Sequence, residues 1–328
     1  MLLKAGLMEY VDFFYSNEDV RHPKPNPEMY LRCMLKAGVG PKDTLIVEDA
    51  PAGRGGASAS GATLCPVMDP DDVTYDRLAP YLELTPRTEK WLAPTTNVLI
   101  PLAGAGKRFA QAGYTFPKPL IDVRGKPMIQ LVVENLGIDA HYIFVAQREH
   151  EERYNVTTLL KLIAPGCDVI LTDGVTEGAA CTTLLAKHLI DTNDPLVIAN
   201  SDQWVDWNPN EFMYAMGADD VDGGMAVFTA THPKWSFARV EDGYVVEVAE
   251  KRPISDLATV GIYYWRKGSE YVRYAEQMIA WNRRVNGEFY VCPVYNEAIA
   301  DGARIKPYRV EEMWGLGTPE DLQAYLDS

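Results

Sequence analysis

Residues 97–120 read NVLIPLAGAGKRFAQAGYTFPKPL. The apolar run Val98 to Leu102 has the pattern of a buried strand and passes directly into Gly104, Gly106, Lys107 and Arg108; a further cation, Lys118, follows between Pro117 and Pro119. Glycines let backbone N–H groups approach an anion closely, and neighbouring cations add charge, so a strand followed by such a turn suits a phosphate. Spacing excludes two phosphate motifs. A P-loop needs glycine at 101 and Ser or Thr at 108, where the chain has Pro101 and Arg108. The dinucleotide fingerprint needs glycine at 109, which is Phe109. Taken alone, the same residues also suit a plain glycine turn with surface cations.

Working outward, the pattern downstream is α/β. A helix is expected over 127–136, strands over 142–146 and 168–172, a helix near 178–190, and a buried strand in PLVIANSD that delivers Asp202 to its carboxyl end. From residue 223 onward, GGMAVFTA, SFARVEDGYVVEVAEK and TVGIYYWRK read as antiparallel strands, with EDGY as a turn. Upstream, PEMYLRCMLKAG places Met29, Tyr30, Cys33, Met34 and Ala37 on one helical face with Gly38 as a stop. DTLIVEDA then reads as a short strand ending in two carboxylates, followed by a small-residue helix and another strand. Residues 84–96, with two prolines and four threonines, are the expected linker between a domain of residues 1–83 and one of residues 97–328.

The chain has 328 residues, enough for about two domains. Its net charge of −15 opposes non-specific binding to nucleic acid or an anionic membrane. Apolar runs are too short to span a bilayer and no secretory cleavage pattern is visible, so a cytoplasmic protein is expected. Five scattered cysteines without CxxC spacing suggest neither zinc nor disulfides.

PLAGAGKRF with FPKPLIDVRGKPMI resembles the signature of sugar-1-phosphate nucleotidyltransferases, and the likeness continues through ANSDQ, VAEKRP, TVGIYYW and GLGTPEDL over residues 97–328. The resemblance implies a Rossmann-like mixed-sheet domain of GT-A type. It implies Mg²⁺-dependent transfer of a nucleotidyl group to a sugar 1-phosphate, with pyrophosphate released, for surface polysaccharide. Leu102, Ala103, Gly104, Ala105, Gly106 and Lys107 would then hold the nucleotide, with Gly178 and Ala179 leaving room for a flat base. Arg108, Lys118, Asp202 and Lys251 would be catalytic, Asp202 also binding the metal, and Glu250, Lys251 and Gly261 would face the acceptor. Trp235 and Phe237 are candidates for the acceptor pocket, whereas Tyr263, Tyr264 and Trp265 read as core or rim. Many relatives carry an aspartate where this chain has Gly315, so either Asp202 holds Mg²⁺ with phosphates and water alone, or a nearby acid such as Glu311 or Glu312 substitutes. Related cytidylyltransferases acting on phosphocholine-like alcohol phosphates share the framework and remain an alternative.

HPKPNPEMY and LIVEDAPAGRGGASASGA resemble the second half of a haloacid dehalogenase-like phosphatase, in which Lys24, Glu48 and Asp49 would be the phosphate lysine and metal acids. The segment with the nucleophilic aspartate is not among residues 1–83, so a silent remnant, a docking module or a piece of a longer phosphatase fusion is expected. Its incomplete sheet leaves an edge that invites packing on the second domain or on another subunit as a homo-oligomer. A phosphatase and a non-catalytic nucleotide-sugar-binding subunit are the remaining alternatives.

Overall fold

The computed structural model describes residues 11–78, 81, 95–104, 106–217 and 221–328. The chain divides into two compact units, Met1–Thr88 and Glu89–Ser328. Residues 84–94 of the expected linker lie outside the described residues.

In the first unit a helix, Glu28–Ala37, precedes a parallel pair, β1 (Leu45–Glu48) and β2 (Thr63–Pro66), joined through the helix Pro51–Ala59. Gly38 ends the first helix in the left-handed region at φ 71°, as the stop signal implied. Met29 and Met34 are buried, Tyr30 and Cys33 half-buried, and Ala37, expected on the same face, is exposed. Among the described residues of this unit, Met34, Ile46 and Ala57 form the buried cluster, a small one because two strands offer little surface to cover.

The second unit is built on a nine-stranded mixed sheet. Its parallel part contains β3 (Asn97–Pro101), which pairs with β6 (His141–Gln147) on one side and β8 (Leu196–Ala199) on the other, with β7 (Asp168–Thr172) beyond β6. Between β3 and β6 lies a short ribbon of β4 (Asp122–Val123) and β5 (Lys126–Pro127), followed by the helix Met128–Leu136. The expected helix near 178–190 is two short helices, Ala179–Leu184 and Lys187–Ile190. β9 (Gln203–Asp206) pairs outside the main sheet with β15 (Glu312–Gly315).

The antiparallel part matches the strand pattern after residue 223: β10 (Gly223–Thr229), β11 (Ser236–Glu241), β12 (Tyr244–Glu250) and β13 (Leu257–Trp265), with β14 (Ile305–Arg309) added parallel to β10. Asp242 and Gly243, at φ 49° and 83°, make the tight reversal between β11 and β12. Alternation along β3 sends Leu99 into one core and Val98 and Ile100 into another on the opposite face. The centre of the sheet is therefore buried on both sides, and polar residues there can reach solvent at strand ends. Because the chain leaves β3 toward β6 and returns to β8, a crevice opens above the carboxyl end of β3, where open α/β sheets bind ligands.

Candidate active site

Above β3 the backbone turns through Leu102, Ala103 and Gly104. Leu102 and Ala103 are buried, and the Leu102 N–H donates to the Val145 carbonyl at 2.7 Å. The buried amide of Gln147, at the end of β6, donates to the carbonyls of Ala103 at 2.9 Å and Gly104 at 3.2 Å, fixing the turn. Gln147 is a site residue missed in the sequence; its one signal is a polar side chain closing the apolar run of β6. A Cβ on Gly104 would meet nothing within 4 Å, so this glycine opens onto the cleft rather than relieving a packing clash. Gly106 lies at φ 57° and needs glycine for its backbone. Ala105 lies outside the described residues.

Lys118 follows Pro117 into a single 3₁₀ turn whose Pro119 is buried. Its Nζ donates to Asp202 Oδ2 at 2.7 Å, and each side chain keeps about a quarter of its surface or less, 21% and 25%. Asp202 sits just past β8, and its carbonyl accepts the Leu316 N–H at 2.7 Å. A Cβ on Gly317 would stand 2.7 Å from Asp202 Oδ2, which gives the glycine of GLGT a physical reason. Arg108 and Lys107 are exposed and line the same cleft of about 570 Å³ as Lys118, Asp202, Gly178 and Ala179.

Gly178 has a different reason for being glycine than the one expected. At φ 137°, its absent Cβ makes room for the main chain of Phe289, whose carbonyl oxygen would be 2.4 Å away, while the residue also lines the cleft.

At the other end of the cleft, Ser236 and Glu250 are register partners on β11 and β12, and the Ser236 hydroxyl donates to Glu250 Oε2. Burial pushes the Glu250 carboxyl above its usual range, against the opposing effects of Ser236 and Lys251. Lys251 begins just beyond β12 with φ 54°, and this left-handed residue turns its side chain out of strand alternation. Its Nζ donates to the Tyr290 hydroxyl at 2.6 Å. Gly261, at φ 85°, lies in a β-bulge of β13; a Cβ there would meet the amides of Asn200 and Gln203 within about 2.5 Å.

Trp235 lines a recess of about 200 Å³ together with Glu250, Asp202 and Gly261. Phe237 does not: it is fully buried in the sheet, so its candidacy for the pocket is corrected. Tyr263, Tyr264 and Trp265 are buried, as core residues. A Cβ at Gly315 would lie 2.8 Å from the indole of Trp235 and 3.9 Å from Asp321 Oδ2. Trp235 thus fills the space an aspartate would need. Neither Glu311 nor Glu312 lines the cleft: both are exposed, and Glu312 pairs with Asp206 at the far end of the β9–β15 ribbon. Asp321, paired with Lys234 at 2.6 Å, is the acid beside Gly315.

In the first unit Lys24 Nζ and the Tyr30 hydroxyl both donate to Glu48 Oε2 at 2.6 Å, and the Ala50 N–H donates to Oε1 at 3.2 Å. Burial pushes the Glu48 carboxyl up, but these bonds outweigh it and hold it below its usual range. Asp49 is exposed. A Cβ on Gly53 would collide with the Glu48 carboxyl group at 2.0 Å, so this glycine keeps the acid in place.

Comparison with known proteins bears on the family and the fold. Residues 98–295 match the nucleotidyl transferase family model. The chain belongs to the nucleotidyl transferase family. Residues 1–67 match the model for haloacid dehalogenase-like hydrolases. The low-salt glycan biosynthesis nucleotidyltransferase of Haloferax volcanii is 26% identical over 232 residues, 67% of this chain and 62% of the relative. A 2-aminoethylphosphonate cytidylyltransferase from Lancefieldella rimae is 38% identical over 77 residues, 21% of this chain and 31% of the relative. This chain therefore spans less than two thirds of either curated relative. The crystal structure of a nucleoside-diphosphate-sugar pyrophosphorylase from Vibrio cholerae superposes with a TM-score of 0.61 at 23% identity, covering 70% of this chain and all of the other, a likeness of fold. No helix among the described residues is long and apolar enough to cross a membrane.

Proposed function

We propose that this nucleotidyltransferase joins a nucleoside triphosphate to a sugar 1-phosphate. A phosphate oxygen of the acceptor attacks the α-phosphorus, the bond to the bridging oxygen of the β-phosphate breaks, and pyrophosphate leaves. The observation that carries this reading is the meeting of Arg108, Lys118 and Asp202 in one cleft above β3. In-line displacement needs charge neutralisation and positioning more than covalent help. In this reading the main chain of Gly104, Ala105 and Gly106 with Leu102, Ala103 and Lys107 cradles the triphosphate, and Gly178 and Ala179 flank the base. Arg108 neutralises the departing pyrophosphate and Lys118 approaches the α-phosphate. Lys251 orients the acceptor phosphate, with Glu250 and Gly261 facing the rest of the acceptor.

Asp202 fits a Mg²⁺ role: Mg²⁺ typically takes one or two carboxylates and completes its shell with phosphates and water, and Asp321 lines the recess beside Asp202. No group of three or more His, Cys, Asp or Glu suited to a metal occurs among the described residues, so phosphate oxygens would supply much of the shell. When bound, the ion would neutralise charge on the triphosphate. A cytoplasmic place in nucleotide-sugar supply for surface polysaccharide accords with this chemistry.

One observation favours a second acceptor class. Among the described residues, Glu250 has no cationic partner within 4 Å, although it is sheltered in the cleft near Trp235. An aminoalkyl phosphate or phosphonate would supply that cation, and the Lancefieldella relative is named for such a substrate. Pyrophosphate release across a panel of triphosphates, with glucose 1-phosphate, phosphocholine and 2-aminoethylphosphonate as acceptors, tests both. Release with a sugar 1-phosphate supports the first reading, and release only with the amines the second. No release with any pair, despite thermal stabilisation by the ligands, favours a nucleotide-sugar-binding subunit. Phosphatase turnover lost in Asp49→Asn would overturn the silent reading of the first unit.

A further inference from the structure

Residues 285–290 link the two ends of the cleft. Val285 and Glu288 exchange backbone hydrogen bonds at 3.0 Å around Asn286 and Gly287, whose φ values of 49° and 84° make a tight reversal. Just beyond it, the Phe289 N–H donates to the Glu177 carbonyl at 2.9 Å and the Phe289 carbonyl accepts from the Ala180 N–H at 3.0 Å. Those bonds tie the segment to the wall that carries Gly178 and Ala179. The next residue, Tyr290, is half-buried and serves the opposite end: its hydroxyl accepts from Lys251 Nζ at 2.6 Å, with the ammonium 4.6 Å from the ring centroid.

Lys251 has no carboxylate within 4 Å among the described residues. This separates it from Lys118, whose charge is matched by Asp202. A lysine side chain rotates about four bonds and loses that freedom when it is held, and an ammonium has three donors. One bond to a neutral phenol restricts the chain, leaves two donors, and keeps the full positive charge. A carboxylate partner would hold the chain as well but would offset the charge.

We propose that Tyr290 is a positioning residue that presents Lys251 to the acceptor's phosphate oxygens. The inference rests on the nucleotidyl-transfer reading, in which Lys251 meets that phosphate. Because Phe289 is fixed to the nucleotide wall, the phenol next to it is held at a set distance from the nucleotide.

The test uses the full chain and the variants Tyr290→Phe, Lys251→Met and the double variant. Reductive methylation followed by peptide mass spectrometry reads the freedom of Lys251 without requiring turnover. We expect Lys251 in Tyr290→Phe to react severalfold faster than in wild type, with the other lysines unchanged; an equal rate overturns the proposal. In pyrophosphate-release kinetics with the best acceptor of the panel, Tyr290→Phe should raise the acceptor KM about tenfold and leave the triphosphate KM within twofold. The double variant should be no worse than Lys251→Met, since both act through one contact. Faster methylation with an unchanged acceptor KM, or additive losses in the double variant, overturns the proposal. If no acceptor supports turnover in wild type, the functional reading fails, while the methylation rate still decides whether the phenol holds the lysine.

Discussion

Lys118 Nζ lies 2.7 Å from Asp202 Oδ2, joining the proline-flanked turn to the carboxyl end of β8 across 84 positions of sequence. In the nucleotidyl-transfer reading, triphosphate and metal compete with this ion pair: Lys118 turns to phosphate and Asp202 to the cation. Lys118→Ala should therefore lower kcat/KM by about 10²–10³-fold, the scale expected for one electrostatic contact to a transition state. The same variant should bind Mn²⁺ more tightly than wild type without nucleotide, because Asp202 loses its competitor. Electron paramagnetic resonance of free Mn²⁺ checks this, and equal affinity in the two proteins would count against Asp202 as the metal acid.

Gly104 and Gly317 form a contrasting pair. Gly104 faces open space, so Gly104→Ala should leave the melting temperature within about 1 °C, as for a surface change, and raise the triphosphate KM. A methyl at 317 would stand 2.7 Å from Asp202 Oδ2. Gly317→Ala should displace that carboxylate and lower kcat with either acceptor. Calorimetry with steady-state kinetics separates the two patterns; a normal kcat in Gly317→Ala would show that Asp202 can move without consequence.

The contrast bears on what a sequence discloses. The central strands and the glycine turn after β3 are legible because apolar runs and glycine–cation spacing are local signals. Asp202 was legible as the end of a buried strand. Gln147, which fixes the turn, was not, since a single polar residue at a strand end has no distinctive pattern. The packing role of Gly178 is not legible for a related cause: its neighbour, Phe289, is more than a hundred residues away, and small residues look alike whether they admit a ligand or a backbone. Phe237 shows the same limit, because the pattern gives the face of a strand but not what covers it.

Trp235 and Gly315 should act as one unit. Gly315→Ala alone puts a methyl 2.8 Å from the indole edge and should destabilise the second unit by about 1–3 kcal/mol, the usual cost of overpacking. Adding Trp235→Phe, which shortens the ring system, should restore most of that loss. Chemical denaturation of the two single variants and the double variant gives the coupling energy, and simple additivity would show that the two residues do not share the space.

Glu250 supplies a pH test of stability. Burial raises its folded carboxyl pKa above the ordinary value of 4.5. A group with a raised folded pKa favours the folded state when protonated, and that contribution is lost as pH rises through the folded pKa. At neutral pH the ionised Glu250 is therefore a net cost to the fold, while glutamine can still accept the Ser236 hydroxyl through its carbonyl. Glu250→Gln should melt higher than wild type at pH 7, and the difference should shrink as pH falls toward 4, where wild-type Glu250 takes up its proton. Melting curves across pH 4–8 measure it, together with Ser236→Ala as a control for the hydrogen bond. A melting gain that stays constant over the range would mean that the substitution acts through packing and not through the charge of the sheltered carboxylate.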